Sequence, residues 1–222
     1  MVTLAPERQT KSIHLYELFQ MNGLQTLLQE FTTVLQAPSA IISASQFSKR
    51  YSYFLLAPSL RQLLMSGRFA NIQQHLDYIE LDYKTGTFQL CLHENADEYD
   101  VNYCTKQQID QYIQHYFAGH LAPLWLYISK LTGIKMELLW ENTYIYIAWM
   151  CLHQIESPQA KQNFIYLTQE ADGNLFGLPQ NPFLSFTASS PIRRNCCLYF
   201  MLPNAEGNKY KCKKCPLDCG NT

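Results

Sequence analysis

Charge is scarce in this 222-residue sequence: Asp, Glu, Lys and Arg make up 16%, with a formal net charge of −1 and a pI near 6.6. A general nucleic-acid binder displaces condensed counterions with a basic surface, so that class is excluded and no nucleic-acid partner is expected. Glycine is also sparse, nine scattered residues with no glycine-rich phosphate loop. A resident dinucleotide or flavin is therefore not expected. The six histidines contain no H-E-x-x-H, and His115 and His120 stand five apart, off the i, i+4 spacing of two helical ligands. No Ser/His/Asp triad is apparent. The most apolar run, Tyr144 to Leu152, is about half of the roughly 20 residues a membrane-spanning helix needs. No integral membrane segment is expected. The opening MVTLAPERQTKSIHLYELF has no apolar stretch of signal-peptide length, being broken by Glu7, Arg8 and Lys11, so the expected compartment is the cytoplasm.

What the sequence has is apolar mass. Residues of the AVILMFWYC set make up 47%, and 15 Tyr, 12 Phe and 3 Trp supply an aromatic share of 14%. That is the composition of a packed globular protein, with length for one sizeable core and a small appended module. Leu15, Leu18, Phe19, Leu24, Leu27, Leu28, Phe31 and Leu35 recur at three and four residues and predict a helix over 13–35 with a break at Gly23. A second helix is predicted from Ala40 to about Tyr51, then a short one from Ser59 to Met65 begun by Pro58 and closed by Gly67. From Tyr78 to His93 the period changes to two around a turn at Lys84–Thr87, which predicts a β-hairpin. The acidic stretch Glu94 to Asp100 reads as a solvated loop, its spacing missing the calcium-loop pattern. Thr105 is placed to cap a helix that Pro123 kinks or restarts and Gly133 ends. Ile134 to Ile155 is apolar around most of its circumference and should be central, with Glu141 and His153 held by structural hydrogen bonds. After a helix over Ser157–Leu167, Asp172 to Pro191 reads as an ordered connector, punctuated by Gly, Pro, Asn and Ser yet too apolar to hang in water. The expected fold is α+β: a mainly helical body with a β-hairpin over 1–178, then a connector and a small cysteine module over 179–222.

Of the eight cysteines, five lie in RRNCCLYFMLPNAEGNKYKCKKCPLDC, residues 193–219: the adjacent Cys196 and Cys197, the C-x-x-C of Cys212 and Cys215, and Cys219. Cys91, Cys104 and Cys151 read as structural thiols. A disulfide framework fits a reducing compartment poorly, and adjacent cysteines bridge only through a strained ring. Clustered thiolates are soft ligands for zinc or for the irons of a cluster. A four-cysteine zinc site usually brings two C-x-x-C knuckles, whereas here one pair is contiguous. Neighbouring side chains on an extended backbone point apart, which makes one shared tetrahedral centre awkward and a two-iron cluster reachable. Both metal readings stand on these residues alone.

The run R-R-N-C-C-L-Y-F-x-L-P, followed after a gap by C-x-x-C-P-L, resembles the C-terminal cluster domain of the FhuF-like ferric siderophore reductases. Upstream, S-Q-F-S-K-R-Y-S-Y-F from Ser45 and L-L-W-E-N from Leu138 look like segments of that family's main domain. The spacer Leu198–Lys211 is longer than the family leads one to expect, and Cys219 is an additional thiol. The resemblance implies a [2Fe–2S] cluster on Cys196, Cys197, Cys212 and Cys215 that reduces a ferric siderophore by one electron. It also implies a separate electron donor such as a ferredoxin or flavin-dependent reductase. The site would be cytoplasmic, at or near the inner face of the membrane. Arg193, Arg194, Trp140 and Asn142 are the expected substrate contacts, arginine suiting an anionic chelate and indole and amide its organic shell. A zinc-stabilised binding protein without redox activity is the alternative class, and an iron–sulfur sensor or accessory protein of siderophore handling is a third.

Overall fold

The structure is a computed structural model in which residues 10–72, 76–82, 87–92, 104–186, 192–203, 211–212 and 214–218 are described. It is α+β and mainly helical. Strands β1 (Thr10–His14), β2 (Leu76–Asp82) and β3 (Thr87–Leu92) form an antiparallel sheet in that order, β1 joining the edge of the expected hairpin. Ile13, Ile79 and Leu81 face the core, as alternation requires. The turn at Lys84–Thr87 lies mostly, and the acidic stretch Glu94–Asp100 wholly, outside the described residues.

The helix expected over 13–35 is shorter than its periodicity suggests. Thr10–His14 is extended, Leu15–Phe19 is a 3-10 turn, and α1 runs only from Met21 to Leu35. Gly23 sits in the first turn of α1, where a Cβ would meet the Glu17 carbonyl oxygen at 2.5 Å. It permits a close approach rather than breaking the helix.

The second correction concerns α2, a single helix from Ala40 to Ser66 that carries Pro58 inside it. A proline in a helix interior removes one hydrogen bond and costs about 3 kcal/mol. Here burial on both sides of it outweighs that cost: Leu55, Leu56, Leu60, Leu63 and Leu64 are all buried. Ser39 caps the start, and Gly67 at φ 73° closes the end by donating to the Leu63 carbonyl, as expected.

Thr105 makes the anticipated cap, a capping box with Gln108, for α3 (Lys106–Tyr112). Pro123 does not break the chain that follows. A wide π-helical segment, Ile113–Leu121, links α3 to α4 (Ala122–Thr132), and the wider turn precedes the proline in the first turn of α4. Gly133 at φ 74° ends α4. Helix α5 (Met136–Gln154) packs along α2 and is enclosed from Leu139 to Tyr144 on all sides. His153 lies exposed against Trp149, their rings 5.5 Å apart, rather than in a buried polar contact. After α6 (Pro158–Ile165) and its π-helical extension, the connector turns back over α5. Phe176, Phe183 and Phe186 enter the core against Phe117, Trp140 and Tyr144, so the connector is ordered by aromatic packing. Gly173 allows that return, because a Cβ there would fall 2.5 Å from the Gln180 backbone. Among the described residues, no helix is long and apolar enough to cross a membrane.

Candidate metal centre

The four cysteines of the C-C and C-x-x-C pairs come together on a loop held by buried side chains of α2 and α5. Cys197 and Cys215 are buried, while Cys196 and Cys212 are half-buried. The sulfurs of Cys197 and Cys212 lie 4.0 Å apart, and Cys196 interacts with Cys215. Each member of the adjacent pair therefore faces one member of the C-x-x-C. Two thiolates bound at about 2.3 Å to one tetrahedral metal stand roughly 3.8 Å from each other, so the 4.0 Å pair matches that chemistry. Among the described residues, no three His, Cys, Asp or Glu side chains form a group converging on a single ion. The remaining cysteine of the segment, Cys219, lies outside the described residues, as does the side chain of Cys91.

The backbone is shaped for these sulfurs. Leu198 occupies the left-handed region at φ 60°, an uncommon conformation for a branched side chain. It lets Leu198 N–H donate to Cys196 Sγ at 3.4 Å and turns the Tyr199 N–H toward Cys197. On the other limb, Cys215 N–H donates to the Cys212 carbonyl at 2.8 Å and the Lys214 N–H faces the Cys212 sulfur. Arg193 N–H bonds the Lys214 carbonyl at 2.9 Å and joins the two limbs.

Two helices hold this loop. From α2, Ser45 Oγ and Gln46 Nε2 donate to the Cys197 carbonyl at 2.8 and 2.6 Å, and Lys49 Nζ approaches the Cys197 sulfur at 3.6 Å. From α5, the Glu141 carboxylate accepts the backbone N–H groups of Arg194 and Asn195 and the Asn195 amide, at 2.6 to 2.9 Å. Asn142, fully buried, accepts from Arg193 Nη2 at 2.5 Å and offers its own NH2 to Ser45 and Ser48. The stretches from Ser45 and from Leu138, one on each helix, are thus the walls of the cysteine loop.

The electrostatics are asymmetric. Cys197 is held below the ordinary thiol value because it shares a proton with the Cys212 thiol and because the Lys49 and Arg193 charges stand nearby, although burial opposes ionisation. Cys212 moves up by the same shared proton, and burial raises Cys196. Of the pair, Cys197 is the sulfur that its surroundings favour as thiolate, the form that binds a soft metal. By contrast, burial pushes Cys104 and Cys151 up to about 11 and keeps them neutral, in keeping with structural thiols.

Of the residues expected at substrate, Arg193 is only 5% exposed and spends its guanidinium on Asn142 and, at 4.0 Å, on Glu141. Trp140 is buried against Phe117 and Phe183, touching a groove of about 310 Å³ with Met136, Leu178 and Pro182. Arg194 is exposed. It lines a cleft of about 240 Å³ with Tyr144, Ser185, Ile192 and Lys214, and the cleft and the groove meet at Ser185 and Phe186. Sequence reasoning expected structural hydrogen bonds at Glu141 without naming the loop as its partner, and marked Ser45 and Gln46 only as part of a family-like stretch, not as holders of the loop. The available signal was a carboxylate and an amide side by side in an otherwise apolar helix. No family model matches the sequence, and no curated protein matches it as a relative.

Proposed function

We propose that the chain holds a [2Fe–2S] cluster on Cys196, Cys197, Cys212 and Cys215 and reduces ferric siderophores, as the resemblance to FhuF-like reductases implies. The observation that carries this reading is the crosswise pairing of the cysteines, with 4.0 Å between Cys197 and Cys212. Two facing pairs suit a two-metal centre better than a single tetrahedral zinc, which draws four sulfurs to one point. The backbone N–H groups directed at sulfur by Leu198, Tyr199 and Lys214 suit it further, since such bonds stabilise bound thiolates.

When bound, the cluster supplies one electron to a ferric chelate, whose oxygen ligands grip ferric iron tightly and ferrous iron far less. The protein's residues divide the remaining tasks. Glu141 and Asn142 fix the first cysteine pair to α5, and Ser45 and Gln46 fix it to α2. Arg193, behind the sulfurs, serves as a buried tie between Asn142 and the Lys214 carbonyl. Arg194 and Lys214, both exposed on the cleft beside the loop, are placed to receive an anionic chelate. An electron donor such as a ferredoxin or a flavin-dependent reductase is required, and the reaction belongs to the cytoplasm.

Anaerobic purification tests the reading. Visible absorption bands with two irons and two sulfides per chain, and turnover of a ferric chelate in the presence of a ferrous trap, are expected. A colourless protein carrying one zinc rejects the cluster in favour of a non-redox zinc protein. A coloured protein that leaves the chelate unreduced assigns the cluster to sensing.

A further inference from the structure

Lys49 lies on the face of α2 that also carries Ser45 and Gln46, so the same turn that grips the Cys197 carbonyl brings an ammonium to its sulfur. The Nζ atom stands 3.6 Å from Cys197 Sγ and 5.3 Å from the centre of the Tyr199 ring. The ring therefore flanks the cation while the cysteine sulfur takes a hydrogen from it. Lys49 is half-buried, and no carboxylate among the described residues pairs with it. Arg193, the other cation near this sulfur, differs: its guanidinium faces Glu141 and is hydrogen-bonded to Asn142. Of the two positive charges beside Cys197, only that of Lys49 is left uncompensated by a described carboxylate.

We propose that Lys49 is a positioning residue that sets the reduction potential of the cysteine-bound centre. This rests on the cluster reading given above. Reduction adds one electron, and so one negative charge, to the sulfur-bound site. A cation hydrogen-bonded to one of its sulfurs favours that reduced state over the oxidised one. The surroundings of Cys197 are low in water, which strengthens the effect relative to a surface lysine. Lys49 donates no electron and touches no substrate in this role. It biases the equilibrium between an external one-electron reductant and the site.

The experiment is a spectroelectrochemical titration of the anaerobically purified full-length protein, with dithionite as reductant and iron and sulfide analysis on every sample. Lys49→Met is expected to keep its iron and sulfide but to shift the one-electron equilibrium at least tenfold toward the oxidised form, a lowering of about 59 mV. Lys49→Arg should recover most of the shift, because it restores the charge. A merely structural lysine would change unfolding midpoint and metal content but not the potential of loaded protein. If Lys49→Met does not retain the centre, Lys49→Gln, which keeps an N–H donor without charge, is titrated in its place and should show the same lowering. A loaded variant with wild-type potential overturns the role of Lys49 and leaves the cluster reading intact. Loss of the centre from both uncharged variants, with helical content unchanged, also overturns it, making Lys49 a holder of the loop. Wild-type protein without sulfide overturns the cluster reading, and this inference with it.

Discussion

Glu141 Oε2 accepts two hydrogen bonds from Asn195, one from its backbone N–H at 2.8 Å and one from its side-chain amide at 2.9 Å. With the Arg194 N–H on Oε1, a buried carboxylate replaces water for an entire turn of irregular backbone. Removing it leaves those donors and the nearby Arg193 charge unsatisfied. Glu141→Ala should therefore destabilise the fold by roughly 3 kcal/mol, and Glu141→Gln by less, since one acceptor survives. Urea unfolding followed by circular dichroism measures both losses. Reaction with a thiol reagent reads the loosening of the loop separately, with Cys197 expected to react faster in Glu141→Ala. Unchanged midpoint and thiol reactivity together would remove Glu141 from the support of the loop.

The ligand set predicts a distinct pattern among cysteine variants. Cys212→Ser and Cys197→Ser each break the 4.0 Å pair and should abolish the native visible spectrum of anaerobically prepared protein. Cys219→Ser should leave that spectrum and the iron content unchanged. Cys151→Ser should do the same, because that thiol is buried and neutral. A spectrum lost with Cys219→Ser and kept with Cys212→Ser would move the fourth ligand to Cys219.

Arg194 and Lys214 border the cleft from its exposed side. Replacing both with Glu should raise the KM for an anionic ferric chelate by about tenfold at low ionic strength while leaving kcat within twofold. Each exposed charge contributes no more than about 1 kcal/mol. The effect should shrink between 10 and 300 mM salt, because exposed charges are screened over about 10 Å at 0.1 M. Equal KM values at low salt would remove the two residues from substrate capture.

The elements with one dominant local signal were legible in the sequence. Gly67, Gly133 and Thr105 end or begin helices where expected, and alternation from Tyr78 marked the hairpin. Strand β1 was hidden because Ile13 and Leu15 continue the helical spacing of α1, and only pairing with β2, more than sixty residues on, makes Thr10–His14 extended. Pro58 was misleading for the opposite reason, since tertiary burial outweighs a local breaker. At the candidate site, the cysteines announce themselves by spacing, but their holders do not. Glu141 is 53 residues from Arg194, and Lys49 is 148 from Cys197. A carboxylate that satisfies backbone N–H groups and one that faces a substrate look identical in a sequence. Likewise Asn142 and Arg193 were expected at substrate, and they are joined to each other inside.

Pro58 supplies a test of helix energetics away from the cysteines. It is exposed within α2, so Ala in its place restores a backbone donor and removes ring crowding without opening a cavity. Pro58→Ala should stabilise the protein by about 1 to 3 kcal/mol, offset in part by the greater freedom that alanine gives the unfolded chain. Thermal unfolding should show a higher Tm. A lower one would mean that the bend of α2 at Pro58 is itself needed for packing on α5.

His120 makes stability depend on pH in a definite direction. Its ring is buried in the π-helical segment, with Nε2 2.6 Å from the Tyr51 hydroxyl, stacked on the Tyr51 ring and nearly perpendicular to that of Phe19. Burial pulls its pKa from the ordinary 6.5 down to about 3, so the folded protein holds it neutral. Between those values the unfolded chain binds the proton and the folded one does not. The stabilisation is therefore complete above about pH 6.5 and lost progressively as pH falls toward 3, by at most about 1.4 kcal/mol per unit. Ordinary carboxylates protonate below the interval from pH 6.5 to 5, and comparison with a variant at position 120 separates the histidine from the cysteine pair, which also titrates with a lowered member. Urea midpoints should fall across that interval in the wild type. In His120→Gln, which keeps an acceptor for Tyr51 but does not titrate, they should fall less steeply. Parallel slopes in the two proteins would place the acid sensitivity elsewhere.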